Sequence, residues 1–253
     1  IAMASQQGFT VESVQSEDLS ETLGVNTRVQ LAEAEASLRH RILERWMLSG
    51  VTIQDPASVY IDAHVEIGQD TSVLPNTHIT GPSLIGRDCH VGPNSIVRDS
   101  TIGDRCGIVA SVIEGARLEK SVYVGPFSHI RPGSHLGEGV HIGNYAEIKN
   151  SSLGPGTKSG HFSYIGDAEL GSNVNVGAGV VTCNYDGENK NRTTIGDDAF
   201  IGSDSMLIAP VTIGARSSTG AGSVVSKDVP PDSVAVGAPA RVVREGARRS
   251  KVP

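Results

Sequence analysis

One histidine, His161, stands in a segment whose composition departs from that of its surroundings. Segment 158–164 (KSGHFSY) lacks an aliphatic residue where neighbouring segments have one. Because imidazole titrates near neutral pH, a histidine can take a proton from an attacking nucleophile. His161 is therefore the candidate general base. Backbone N–H groups of the run 176–179 (VGAG) are candidates for stabilising an oxyanion.

Two cations, Arg131 and Lys149, are eighteen residues apart. If one coil of a repeating structure takes eighteen residues, their side chains stack about one strand spacing apart. Stacked cations repel unless an anion lies between them, and Arg with Lys suits a phosphate. A solvated basic edge is the alternative.

Three further histidines, His129, His135 and His141, are six residues apart. With one six-residue unit per face, they point in three different directions. They therefore cannot converge on one metal ion within a subunit. This disfavours a zinc hydratase such as the gamma class of carbonic anhydrase.

A six-residue repeat positions these side chains. An aliphatic residue recurs nearly every six positions from Ile61 onward, often followed by glycine. The recurring residues are Ile61, Ile67, Val73, Ile79, Ile85, Val91, Val97, Ile102, Ile108, Leu118, Val124, Ile130, Leu136, Ile142, Ile148, Leu153, Ile165, Leu170, Val176, Ile195, Ile201, Leu207 and Ile213, with Thr219 breaking the pattern.

The repeat predicts a mainly β fold, a parallel β-helix in which each hexad gives one short strand and three hexads close a triangular coil. The recurring aliphatic residue points inward. The adjacent glycine supplies either a positive φ or a close backbone approach at the corner.

The flanks of the repeat are less regular. Residues 1–26 are polar apart from one β-like run, 9–14. Apolar residues three or four apart from Val29 to Met47 predict a linker helix within 27–50, stopped by Ser49-Gly50. Trp46 is expected to anchor that helix against a neighbouring domain or the β-region.

Two segments interrupt or end the coil. Residues 182–194 are rich in polar turn formers and predict an excursion loop, a usual place for functional residues. The β-helix is expected to cover 51–228, with an irregular tail over 229–253. A basic cluster in that tail is interpreted as solvated; it comprises Arg241, Arg244, Arg248, Arg249 and Lys251.

Composition narrows the class of protein. A net charge of −7 disfavours nucleic-acid binding, which depends on basic side chains, and 4% aromatic residues with 30 glycines disfavours a conventional core. Cys89, Cys106 and Cys183 lack metal-ligand spacing, which favours reduced thiols in a cytoplasmic protein. We expect no membrane span and no signal peptide.

Several ordered motifs resemble one family closely. These are 143–150 (GNYAEIKN), 160–169 (GHFSYIGDAE), 175–179 (NVGAG), 183–187 (CNYDG) and 201–204 (IGSD). They resemble the C-terminal domain of the bifunctional N-acetylglucosamine-1-phosphate uridyltransferase / glucosamine-1-phosphate acetyltransferases, within the hexapeptide-repeat acyltransferases. The resemblance runs from about residue 24 to about residue 228.

The resemblance implies a left-handed β-helix, a cytoplasmic homotrimer with sites between subunits, and an excursion loop that reaches the adjacent subunit. It implies acetyl transfer from acetyl-CoA to glucosamine-1-phosphate, on the route to UDP-N-acetylglucosamine and cell-wall polymers, with no metal in that step. His161 matches the general base. Matches to the residues that hold the sugar phosphate are Arg131, Lys149, Tyr164, Asn175 and Lys190. Glu147 lies where the family contacts the sugar near its amine. Matches to acetyl-CoA residues are Ala178, Asn184, Tyr185, Ser203 and Ala221.

Two departures limit the match. The nucleotidyltransferase domain of the family, which would use Mg, has no counterpart here beyond residues 1–26, which resemble its last strand and exit. Uridyl transfer is therefore not predicted. A basic residue of the family falls at Ala238, which leaves Arg241 as a substitute contact to the cofactor.

Two alternatives remain at this level. One is a related hexapeptide acyltransferase that acts on another amino sugar or on serine, although the loop and the Arg131/Lys149 pair argue against it. The other is a non-catalytic trimeric scaffold, which gives no reason for His161 to lie where the repeat breaks.

Overall fold

The computed structural model describes residues 1–15 and 19–246, and the chain divides into two compact units, Ile1–Arg41 and Ile42–Pro253. Its helical segments are α1 (Ala2–Gln6), a 3-10 turn (Leu19–Thr22) and α2 (Arg28–Leu48). The β-like run at 9–14 forms no strand, so that interpretation of the sequence is wrong. Within 1–15 and 19–246 no strand pairs with this run, and Phe9 is 65% exposed.

Helix α2 begins and ends where its sequence directs. The Thr27 hydroxyl accepts a hydrogen bond from the Gln30 N–H (3.1 Å), and the Gln30 side chain accepts one from the Thr27 N–H (3.0 Å). This reciprocal pair is a capping box. At the other end Gly50 takes a φ of +89°, which halts the helix. Trp46 packs against the β-helix core, as expected.

Three sheets, A, B and C, make up the predicted parallel β-helix, and the chain visits them in turn. In the described residues, sheet A has twelve strands: Thr52–Ile53, Ser72–Val73, His90–Val91, Gly107–Ile108, Tyr123–Val124, His141–Ile142, Lys158–Ser159, Asn175–Val176, Phe200–Ile201, Ser218–Thr219, Val234–Gly237 and Ala240–Arg244. Ten strands within the described ranges form sheet B: Tyr60–Ile61, His78–Thr80, Ile96–Arg98, Val112–Glu114, His129–Ile130, Ala146–Lys149, Ser163–Gly166, Val181–Cys183, Met206–Ile208 and Val224–Val225. Sheet C has nine strands over the same part of the chain: Glu66–Ile67, Leu84–Ile85, Thr101–Ile102, Arg117–Leu118, His135–Leu136, Ser152–Leu153, Ala168–Leu170, Thr193–Ile195 and Val211–Ile213.

The core is the column of inward residues that the hexads predicted. Every recurring aliphatic residue from Ile61 to Ile213 is buried, as is Thr219. Burying one such side chain contributes roughly 1.5–3 kcal/mol, so stability accumulates coil by coil. In segment 158–164 the inward position belongs to Ser159, whose hydroxyl hydrogen-bonds that of Ser163 at 2.7 Å. The break seen in the sequence is therefore a satisfied polar pair inside the coil.

Glycine residues and Asn or Asp residues have different roles at the corners of the coils. The glycines that follow the inward residues serve close approach: a Cβ on Gly143 would collide with the backbone of Gly160 on the next coil. Positive φ angles fall mainly on later corner residues such as Asp88 (56°) and Asn94 (55°). Asn and Asp tolerate this conformation better than other residues with a Cβ.

The coil continues beyond Asp228, where the sequence predicted its end. Strand Val234–Gly237 pairs in parallel with Ser218–Thr219, and Ala240–Arg244 then folds back antiparallel. The expected irregular tail is thus a β-hairpin over these residues. The basic residues 248, 249 and 251 lie outside the described residues. No described helix combines the length and apolarity needed to cross a bilayer.

Candidate functional site

Sheet B brings four of the predicted site residues together. Glu147, Lys149 and Tyr164 lie on adjacent strands, and Arg131 directly follows the strand His129–Ile130. Glu147 pairs in register with Tyr164, and the Arg131 N–H donates to the Ile148 carbonyl at 2.8 Å, which stacks Arg131 beside Lys149. The eighteen-residue stacking of Arg131 and Lys149 is therefore confirmed.

Arg131 already has an anionic partner within the chain. Its Nη1 lies 2.6 Å from Glu147 Oε1, and the two side chains are 40% and 39% exposed. The Glu147 carboxylate therefore supplies, beside Arg131, the negative charge that we expected from an external anion. A phosphate clamp at Lys149 would then need a second cation beside it.

Lys190 of the excursion loop is that second cation. Lys149 lowers the pKa of Lys190 through a direct side-chain contact and through charge repulsion. Two ammonium groups held together favour an anion that contacts both. Lys190 thus approaches Lys149 of its own chain, and the reach of the loop to an adjacent subunit stays a prediction.

The first residues of the loop contact the same region. Asn184 is buried, and its Nδ2 donates to Asp167 Oδ2 and lies 3.4 Å from the Tyr164 hydroxyl. Tyr185 is 61% exposed, and its hydroxyl donates to the Gly187 carbonyl. The loop therefore begins with a buried polar residue, Asn184, and then exposes the aromatic ring of Tyr185.

His161 begins a column at the corner between sheets A and B, here called the corner column. It comprises His161, Ala178, Ser203 and Ala221, each two residues after a sheet A strand. Backbone bonds link successive coils there: the Asp204 N–H donates to the Ala178 carbonyl (2.7 Å) and the Gly222 N–H to the Ser203 carbonyl (2.8 Å). The candidate base and three candidate cofactor residues thus share one edge.

The expected oxyanion donors are only partly available. The Gly177 N–H donates to the Ile201 carbonyl at 2.8 Å, and the Gly179 N–H donates to the Phe162 carbonyl at 2.7 Å. The prediction is wrong for these two groups because the ladder between coils uses them. The Ala178 amide is the candidate left at that corner.

Asn175 is not brought together with the sheet B residues. It lies on sheet A, where it pairs with Lys158 and Phe200. Within one chain its side chain faces away from sheet B.

The three evenly spaced histidines lie on three sheets, as predicted: His129 on B, His135 on C and His141 on A. Over residues 1–15 and 19–246, no group of three or more His, Cys, Asp or Glu could hold a metal ion. A groove of about 570 Å³ opens on sheet C beside Glu119 and Glu138, but none of the candidate site residues line it.

The substitute cofactor contact lies on the C-terminal hairpin. Arg241 pairs across the hairpin with Val236, and its Nη1 donates to the Ala240 carbonyl at 3.0 Å. Ala238 is in the turn of this hairpin.

Sequence reasoning missed the role of Asp167. This residue belongs to the motif 160–169, yet no function was attached to it. A signal existed, because Asn150, Asp167 and Asn184 recur every seventeen residues.

Comparisons with known proteins agree with this architecture. A family model for bacterial transferase hexapeptide (six repeats) matches residues 64–99, 115–150 and 192–227. The bifunctional protein GlmU of Shouchella clausii is 49% identical over 236 residues, 93% of this chain and 52% of that protein. The bifunctional protein GlmU of Thermotoga maritima is 50% identical over 236 residues, 93% of this chain and 53% of that protein. The chain spans about half the length of the curated relatives it matches.

Solved structures support the fold. An Arabidopsis UDP-N-acetylglucosamine acyltransferase superposes with a TM-score of 0.53 and 20% identity, covering 75% of this chain and 73% of that one. LpxA from Acinetobacter baumannii superposes with a TM-score of 0.50 and 18% identity, covering 75% of this chain and 72% of that one.

Proposed function

The chain belongs to the hexapeptide-repeat acyltransferase superfamily, and on that premise we propose that it is a glucosamine-1-phosphate N-acetyltransferase. It transfers the acetyl group of acetyl-CoA to the 2-amine of the sugar and yields N-acetylglucosamine-1-phosphate. The grouping of the Arg131–Glu147 ion pair with Tyr164 on sheet B, in a chain 49% identical to a bifunctional GlmU, is the observation that carries the proposal.

The substrate has opposite charges at two positions, and sheet B offers partners for both. Lys149 and Lys190 suit the phosphate, since two ammonium groups contact one dianion. Glu147 suits the amino group, which enters as an ammonium ion, and Arg131 holds that carboxylate in place from 2.6 Å. Tyr164, in register with Glu147, contacts the sugar ring between its phosphate and its amino group.

His161 acts as the general base. The ammonium ion first releases one proton to water, which frees the lone pair of the nitrogen. That nitrogen then bonds to the thioester carbonyl carbon while the imidazole takes a second proton from it. The carbon–sulfur bond then breaks, and the CoA thiolate recovers a proton from the imidazolium. The Ala178 amide stabilises the oxyanion formed between these steps.

Acetyl-CoA extends along the corner column. Ala178, Ser203 and Ala221 have small side chains, so the backbone at that edge is open to an extended arm of the cofactor. Asn184 and Tyr185 bound the arm on the loop side. Arg241 supplies the cation near the far end.

The working assembly is a homotrimer with sites between subunits. Asn175 faces away from the sheet that bears Lys149 and Tyr164, so a second copy is needed to bring both sets to one ligand. The protein works in the cytoplasm, in keeping with its free thiols, Cys89, Cys106 and Cys183.

Release of free thiol from acetyl-CoA in the presence of glucosamine-1-phosphate tests the activity. We expect His161→Ala to lower kcat by roughly 10²–10⁴-fold. The matched control His64→Ala, at an exposed histidine of the early coils, should keep the parental rate. Near-equal rates for parent and His161→Ala would end the assignment of the base.

Lys149→Ala should mainly raise KM for the sugar phosphate. The control Lys120→Ala removes a lysine that pairs with Glu138 at 3.0 Å near sheet C, and should leave KM unchanged. An unchanged KM in Lys149→Ala would refute the clamp.

Turnover with another amino sugar or serine, but not with glucosamine-1-phosphate, would favour a different acyltransferase. Absence of turnover with every amine would favour a scaffold.

A further inference from the structure

A buried carboxylate, Asp167, lies behind the two lysines. It is 6% exposed and occupies a corner between sheets B and C with a φ of 50°. The Asn150 side chain donates to Asp167 Oδ1 at 2.6 Å, and the Asn184 side chain donates to Oδ2. Both carboxylate oxygens are therefore held by amide donors from the coils before and after it.

Asp167 is ionised in this setting. Burial alone would raise the pKa of Asp167. The hydrogen bonds from Asn150 and Asn184, with the nearby charges of Lys149 and Lys190, hold that pKa below its usual range. The carboxylate therefore supplies a fixed negative charge behind two cations that repel each other.

Asn184 connects this carboxylate to the excursion loop. It follows the last residue of strand Val181–Cys183, and its carbonyl accepts a hydrogen bond from the Asn191 N–H at 2.7 Å. Asn184 thus closes the loop through its backbone and fixes it to Asp167 through its side chain. These bonds of Asn184 to Asp167 and to Asn191 are here called the root of the loop. Lys190 directly precedes Asn191, so the position of Lys190 depends on this root.

We propose that Asp167 is a positioning residue that fixes the root of the excursion loop and thereby holds Lys190 against Lys149 for recognition of the sugar phosphate. The inference rests on the proposed function for its substrate. Asp167 does not itself touch that substrate. Its effect passes through Asn184 and the loop.

Asp167→Asn tests the proposal with almost no change in shape. The new amide can still accept from one asparagine, but its NH₂ group faces the NH₂ group of the other. A buried donor left without an acceptor costs enough to shift an equilibrium on the order of tenfold. We expect KM for glucosamine-1-phosphate to rise about tenfold, with a smaller change in kcat.

A double variant, Asp167→Asn with Asn150→Asp, restores the pattern. The amide introduced at position 167 then donates to the carboxylate introduced at position 150, and its oxygen again accepts from Asn184. We expect KM to return to within about threefold of the parental value. The matched control Asp232→Asn alters an aspartate with a similar φ of 56° that pairs with Arg216 at 2.6 Å, and KM should stay parental.

Trypsin provides a readout that does not depend on acetyl transfer. The loop bears Lys190, and loss of the root should accelerate cleavage after Lys190 about tenfold in Asp167→Asn, with the double variant restored. If Asp167→Asn fails to fold by circular dichroism, Asn150→Ala removes one donor and should accelerate the same cleavage severalfold.

The outcomes separate the two proposals. An active parent with parental KM and cleavage rate in Asp167→Asn would overturn this inference and leave the acetyltransferase in place. A KM change without rescue by the double variant would also overturn it. A parent that lacks turnover would overturn the proposed function, and the cleavage rates alone would then decide the role of Asp167.

Discussion

Gly143 offers a test of how the stacked coils place His161. Its φ lies outside the positive region, so alanine can adopt the backbone conformation. The added methyl group would meet the carbonyl group of Gly160 on the next coil and would lie 2.8 Å from Gly160 Cα. Gly160 directly precedes His161. Gly143→Ala therefore perturbs the candidate base from a position with no chemistry of its own.

The size of the effect follows from the contact distances. Ordinary van der Waals contact for a Cβ begins at 3.4 Å, and the carbonyl group of Gly160 lies closer than its Cα, so that group must move by roughly 1–1.5 Å in a close-packed coil. A displacement of about 1 Å can cost on the order of 10²-fold in rate, or about 2.7 kcal/mol of activation free energy. Overpacking should also lower the free energy of unfolding by about 1–3 kcal/mol.

The measurement is kcat for acetyl transfer at saturating acetyl-CoA and glucosamine-1-phosphate, well below the unfolding temperature. Gly160→Ala is the matched control, because a Cβ there meets nothing within 4 Å although the residue adjoins His161. We expect about a hundredfold loss in Gly143→Ala and less than about threefold in Gly160→Ala. Equal rates in the two folded variants would refute the reasoning.

Two further predictions concern stability. Ile148→Ala removes a fully buried side chain from the sheet B strand of the site and should lower the free energy of unfolding in urea by about 2–5 kcal/mol; a loss below about 1 kcal/mol would contradict the stacked core. Because the folded-state pKa of Asp167 lies below its unfolded value of about 3.9, its stabilising contribution is complete above that pH and is lost as pH falls through the folded pKa. The melting temperature of Asp167→Asn should therefore fall less than that of the parent from about pH 5 to pH 2, and parallel curves would contradict an ionised Asp167.

Local pattern was enough to predict the coils. Each hexad has one inward residue in one short strand, and every coil repeats this arrangement. The spacing from Ile61 to Ile213 therefore predicted both the strand positions and the core residues. The same regularity put Lys149 beside Arg131 and the three histidines on separate sheets. Helix α2 was equally local, since its capping box and Gly50 are short-range signals.

Features that depend on distant partners could not be predicted this way. The β-like run at 9–14 has strand composition, but a strand exists only where another strand offers hydrogen bonds. The hairpin after Asp228 was missed for the converse reason, because sheet A offers the edge of Ser218–Thr219 to a segment that the sequence marks as irregular.

The sequence by itself determined the coil, its inward column and the identity of the candidate base. Only the tertiary structure decided the charge partners: Glu147 on Arg131, Lys190 beside Lys149, and Asp167 between two asparagines. The excursion loop has no repeat to fix its path, so the position of Lys190 follows from long-range contacts at Asn184. Spacing along the chain specifies which residues share a face, whereas the contacts between side chains depend on how the folded coils and loop pack in space.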